Sequence, residues 1–97
     1  MPARIGFSTS SSPVSWAIRR LTDSDVSHCF VTLDMIGVQC VLEAHDTGFR
    51  AIPLNHFYET NTVVDILDPE VPLEPVLPDA LEWLGRPYDF VGLVGFL

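Results

Sequence analysis

Apolar residues at Val14, Ala17, Ile18 and Leu21 follow the spacing i, i+3, i+4 and i+7, which predicts a helix with one apolar face. Ser12 stands where an N-cap belongs and Pro13 suits the first helical position, so the helix opens there and runs to Thr22. Arg19 and Arg20 fall in its last turn, where cations complement the exposed carbonyls of a helix end. Ahead of the helix, Arg4 to Ser8 reads as a short strand, followed by a Ser/Thr run.

Beyond the helix, Ser27 to Leu33 and Val38 to Ala44 alternate closely enough around Asp34-Met35-Ile36-Gly37 to make an antiparallel hairpin. With Leu33 facing Val38, one face collects Cys29, Val31, Leu33, Val38, Cys40, Leu42 and Ala44, all apolar. The other is a mixed surface of His28, Phe30, Thr32, Gln39, Val41 and Glu43, and on it His28 lies directly opposite Glu43. Slipping one strand by two residues keeps both faces but sets His45 opposite His28 instead.

Phe49 to Ile52 predicts a third strand of this region, Pro53 to Tyr58 a helical turn begun by proline, and the β-branched run Thr62 to Leu67 a further strand. Prolines at 69, 72, 75 and 78 favour an extended polyproline II connector. Asp79 to Leu84 reads as a helix ending at Gly85, with Pro87 blocking continuation. The resulting fold class is α+β: a small antiparallel sheet with one N-terminal helix and C-terminal helical segments. Phe90 to Leu97 holds only apolar side chains and glycine, so it is expected to pack on the domain or on a protein partner. Residues 1–97 therefore read as a single domain, expected to be incomplete at its C-terminal end or assembled with another chain.

Composition narrows the function classes. The chain has 97 residues, 13 acidic against 5 basic, and no lysine, which leaves no phosphate-neutralising surface and argues against nucleic acid and anionic membranes as partners. No apolar run is long enough to span a bilayer, and Met1 to Phe7 lacks the pattern of a secretory signal, so a cytoplasmic or virion location is expected. Two cysteines, Cys29 and Cys40, are too few for a disulfide scaffold, and in the first register they are diagonal neighbours too far apart for a bridge. His45 and His56 have no close ligand spacing with His28, so neither a metal nor another cofactor is expected.

The order of features points to a family. A strand and Ser-rich turn are followed by the helix Trp16-Ala17-Ile18-Arg19-Arg20-Leu21-Thr22, then Ser27-His28, Leu42-Glu43-Ala44, Gly48-Phe49-Arg50-Ala51-Ile52-Pro53-Leu54 and Leu84-Gly85-Arg86-Pro87-Tyr88-Asp89. This series resembles the circularly permuted branch of the NlpC-type papain-like superfamily, the YiiX-like and lecithin retinol acyltransferase-like proteins. The resemblance implies a permuted papain-like fold in which the catalytic histidine precedes the nucleophile. His28 matches that histidine, and Glu43 matches the acidic residue of the following strand that orients the imidazole. Tyr88 and Asp89 match the segment before the family's cysteine helix.

The implied chemistry is that of a cysteine hydrolase, an amidase, peptidase or acyl hydrolase acting on peptidoglycan peptides or lipid-linked acyl groups. It requires a thiolate beside the imidazole. Cys29 follows His28 directly and so points to the opposite face of the strand, and Cys40 shares the face of Cys29. Both read as small core residues. The chain alone is therefore expected to be inactive, and to act either when completed by a cysteine outside residues 1–97 or as a catalytically inactive structural or binding module, for example a component of a phage particle.

Overall fold

The computed structural model describes residues 3–45 and 48–87. Their architecture is α+β, a five-stranded antiparallel sheet with a few short helices on its two faces. In chain order the elements are β1 (Arg4–Thr9), α1 (Pro13–Thr22), β2 (His28–Met35), β3 (Val38–His45), β4 (Gly48–Pro53), α2 (Leu54–Phe57), β5 (Thr62–Leu67), a 3-10 turn at Glu74–Val76 and α3 (Leu77–Leu81). The strands lie in the order β4-β3-β2-β1-β5. Two consecutive hairpins build one side of the sheet, while β1 inserts between β2 and β5.

Local chemistry accounts for the boundaries. The Ser12 hydroxyl accepts from the Ser15 amide and closes the N-terminus of α1, as its sequence position requires. Helix α1 ends at Asp23, which takes the left-handed conformation and donates its amide to the Arg19 carbonyl. The β2–β3 turn consists of Ile36 and Gly37, both at positive φ (53° and 79°), the combination whose twist matches a two-residue hairpin. Asp34 steadies it by accepting from the Gly37 amide at 2.8 Å.

That tight turn selects the hairpin register. Met35 pairs with Val38, Leu33 with Cys40 and Val31 with Leu42. The two-residue slip is thus the alignment adopted, and the alignment with Leu33 facing Val38 is not. The turn holds two residues rather than four, so β2 runs on to Met35.

Both faces of the sheet are covered. On one, Leu33, Cys40 and Leu42 join Ala3 in a core, packed against Val31, Met35, Phe49 and Ala51 and roofed by Leu73, Leu77 and Leu81. On the other, Phe30, Val41 and Phe57 form a second core with Ile52, Leu54 and Val63 around them. The face expected to be a mixed surface is therefore half core: Thr32 and Glu43 are buried on it together with Phe30 and Val41. Gly6 makes room there, since a Cβ at this position would stand 2.2 Å from the Phe30 ring.

Two expectations fail near the chain's second half. The proline-rich connector bends from Glu70 and coils into the 3-10 turn and α3, because leucines 73, 77 and 81 gain a core by curling back over the sheet. Pro75 and Pro78 sit in the first turn of each segment, where a missing amide costs nothing. The expected Asp79–Leu84 helix accordingly starts at Leu77 and stops at Leu81, with turns continuing to Gly85. The Gly85 amide donates to the Phe49 carbonyl and the Phe49 amide to the Arg86 carbonyl, so this segment shields the edge of β4. Tyr88, Asp89 and the apolar run Phe90 to Leu97 lie outside the described residues.

Candidate functional site

Three strands deliver the site. His28 opens β2, Glu43 lies near the end of β3, and Arg50 lies on β4, where it pairs directly with Glu43. All three side chains fall on the sheet face that carries Phe30 and Phe57. Continued toward the start of β2, the adopted register faces Phe30 toward Glu43, so the two site residues meet on a diagonal. A glutamate is long enough to span that diagonal. His28 Nε2 and Glu43 Oε1 stand 2.8 Å apart.

The other carboxylate oxygen is also engaged. Arg50 donates from Nε to Glu43 Oε2 at 3.0 Å, and its Nη2 lies 3.0 Å from the same atom. The Glu43 side chain is 2% exposed, against 25% for His28 and 29% for Arg50. Burial by itself pushes the Glu43 carboxyl up, but the His28 hydrogen bond and the Arg50 charge outweigh it, and the net direction is downward. Glu43 is thus held as an anion between two partners that shield it from water.

Aromatic rings set the tilt of the imidazole. Phe30 and Phe57 lie with their centroids 6.5 and 6.4 Å from that of His28, at interplanar angles of 26° and 30°. With Nε2 committed to Glu43, Nδ1 is the ring nitrogen left for proton exchange, and no group among the described residues hydrogen-bonds it.

A pocket of about 440 Å³ opens beside the ring. Helix α1 and its preceding turn contribute Ser10, Ser12, Val14 and Ile18, and Glu43, Thr60 and Asn61 line it too. His45, which the slipped register faces toward His28, lines the same pocket.

Hydrogen bonds anchor helix α1 beside this pocket. Its one buried residue is Ser15, whose hydroxyl lies 2.5 Å from that of Ser27 and accepts from the Ser10 amide at 3.1 Å. Arg19 turns back along the helix, donating to Ser15 Oγ at 2.6 Å and to the Ser10 carbonyl at 2.8 Å, with Thr9 Oγ1 as a third partner. Arg19 therefore ties α1 to β1 instead of serving the carbonyls of its own last turn. The expected apolar stripe is half used: Ala17 and Ile18 are partly buried, while Val14 and Leu21 stay exposed.

The sulfurs lie elsewhere. Both cysteines are free thiols; Cys40 is buried in the core, but Cys29 is exposed, which corrects its assignment as a core residue. The strand pleat turns Cys29 away from His28, as its adjacent position dictates, and partial burial pushes its thiol up. Among the described residues, no three His, Cys, Asp or Glu side chains gather to hold a metal ion, and no helix is long and apolar enough to cross a membrane.

Arg50 was legible in the sequence had β3 and β4 been aligned on paper. The register that sets His45 against Gly48 also sets Glu43 against Arg50, an opposite-charge pair. The Ser15–Arg19–Ser27 network had no comparable signal, because it joins three separate elements. Comparison with protein-family models, curated proteins and solved structures returns no match to this chain.

Proposed function

We propose that this chain supplies the histidine and the acid of a permuted papain-like cysteine hydrolase, its thiol coming from outside residues 1–97. The observation that carries the reading is the buried Glu43 carboxylate, 2.8 Å from His28 Nε2, with His28 on the wall of a pocket. A fixed anion behind an imidazole favours the imidazolium that forms when a thiol gives up its proton.

The reaction follows from that pairing. A thiolate beside Nδ1 attacks the carbonyl carbon of an amide or ester, forming a C–S bond. The C–N or C–O bond breaks as the imidazolium returns its proton to the leaving amine or alcohol. Water then hydrolyses the thioester, with His28 accepting its proton and the thiol recovered. Peptidoglycan peptides and lipid-linked acyl groups are the substrate classes this reading favours, in the cytoplasm or in a virion.

A second reading has its own support: neither Cys29 nor Cys40 faces His28. The His28–Glu43–Arg50 cluster would then be a clasp across three strands in an inactive binding or structural module.

Thiol labelling of the native product separates the two. The full protein, purified from its source with any associated chain, is treated with a thiol reagent at about pH 5, where only an activated cysteine is a thiolate. One cysteine other than Cys29 and Cys40 should label, and His28→Ala should abolish that selectivity. A native mass ending at Leu97 with no further cysteine-bearing chain overturns the hydrolase reading, as does equal labelling of the parent and His28→Ala proteins.

A further inference from the structure

The hydrolase reading uses His28 and Glu43 and leaves Arg50 without a role; the inference here rests on that reading. Two Arg50 nitrogens converge on one carboxylate oxygen of Glu43, each at 3.0 Å, and the opposite oxygen meets His28 at 2.8 Å. A glutamate side chain turns about three bonds. Anchoring Oε2 stops that rotation and aims Oε1 across the strand diagonal, where the backbone register by itself does not place it.

We propose that Arg50 is the positioning residue of this site, holding Glu43 so that it accepts a hydrogen from His28 Nε2 and leaves Nδ1 as the nitrogen that exchanges protons. Arg50 takes part in no bond that forms or breaks. Its effect is on which of the two imidazole nitrogens carries the hydrogen in the neutral ring. An anionic, oriented Glu43 can only accept, which requires hydrogen on Nε2. A protonated or rotated Glu43 would donate or let go, and the ring could take the other tautomer, with its hydrogen on the nitrogen that must receive the thiol proton.

Among the described residues, Arg50 is the cation that bonds Glu43 Oε2. From β2 the group facing Glu43 is His28 itself, and from β4 it is Arg50. His45 on β3 lines the pocket, α2 contributes the Phe57 ring while its His56 pairs with Glu59, and α1 contributes hydroxyls, its Arg19 being engaged with Ser15. Arg50 is also suited by shape. Its planar guanidinium grips Oε2 through two donors set in a rigid fork, whereas an ammonium is a point charge that leaves the carboxylate freer to swivel.

The test uses residues 1–97 with nitrogen-15 in the histidine rings and carbon-13 in the glutamate carboxyls, compared among the parent, Arg50→Met and Arg50→Lys by NMR over a pH series. The parent should show His28 as one tautomer, hydrogen on Nε2. Arg50→Met should move the Glu43 titration upward by about one pH unit or more and give His28 signals averaged between two tautomers. Arg50→Lys should retain most of the Glu43 titration and still lose tautomeric purity. A single, parent-like His28 tautomer in Arg50→Met overturns the proposal. If Arg50→Met loses its dispersed sheet amides, the Lys variant decides: an unmixed tautomer there overturns it equally. No nucleophile enters these measurements, so loss of the hydrolase reading through the labelling experiment would be a separate outcome.

Discussion

His28 and Glu43 meet across β2 and β3 on a diagonal, Nε2 to Oε1 at 2.8 Å, although the strand ladder does not set them opposite each other. The contact depends on the length of the glutamate side chain and on its second anchor at Arg50. An aspartate at position 43 would fall short of the imidazole.

Acid should weaken the fold through this carboxylate. Its folded value lies below the ordinary 4.5, so the unfolded chain binds more protons between the two values and stability rises with pH across that window. The contribution is complete above 4.5 and lost as pH falls through the folded value. Glu43→Gln should remove this component of a urea-unfolding pH series and cost about 2–3 kcal/mol near neutrality, by leaving Arg50 without its counter-ion. The cost stays below that of a fully buried pair because His28 and Arg50 keep 25% and 29% exposure. Unchanged acid sensitivity in Glu43→Gln would assign the effect to other carboxylates.

Gly6 should tolerate no side chain. Its Cβ would enter the Phe30 ring, and that ring supports the imidazole and packs 4.7 Å from Phe57. Gly6→Ala is expected to cost about 1–3 kcal/mol in denaturant unfolding, with the cost falling in a Phe30→Leu background, where the ring is gone. Equal costs in both backgrounds would show that the ring is not what Gly6 accommodates.

Helix α1 should detach before the sheet melts. Its anchor is the polar knot of Ser15, Ser27 and Arg19, with only partial apolar burial at Ala17 and Ile18. Ser15→Ala is expected to cost roughly 1 kcal/mol, and Arg19→Met to lower the hydrogen-exchange protection of α1 amides while those of β2 and β3 hold. Uniform loss of protection across the sheet would contradict a locally anchored helix.

How much of this was legible in the chain differs by element. Helix α1, with its Ser12 cap and Pro13 start, follows from residues adjacent in sequence, and so do the Thr62–Leu67 strand and the helical turn after Pro53. The two faces of the β2–β3 hairpin were legible too, because a slip of two residues preserves the alternation. The register was not, since periodicity alone is blind to it and the conformations of Ile36 and Gly37 decide it. The coiling of the proline-rich segment escaped for a related reason: it lets Leu73, Leu77 and Leu81 cover a core built largely from strands some 40 positions earlier.

The site divides along the same line. The sequence by itself determined that His28 and Glu43 share a face and that Cys29 cannot join them, because side chains alternate across a strand whatever its register. Only the tertiary structure decided that Glu43 is buried, that Arg50 closes its other side, that Phe30 and Phe57 tilt the ring, and that α1 borders the pocket on a serine–arginine knot. These relations join strands and helices distant in the chain, and the burial that gives them their strength exists only once both faces of the sheet are covered.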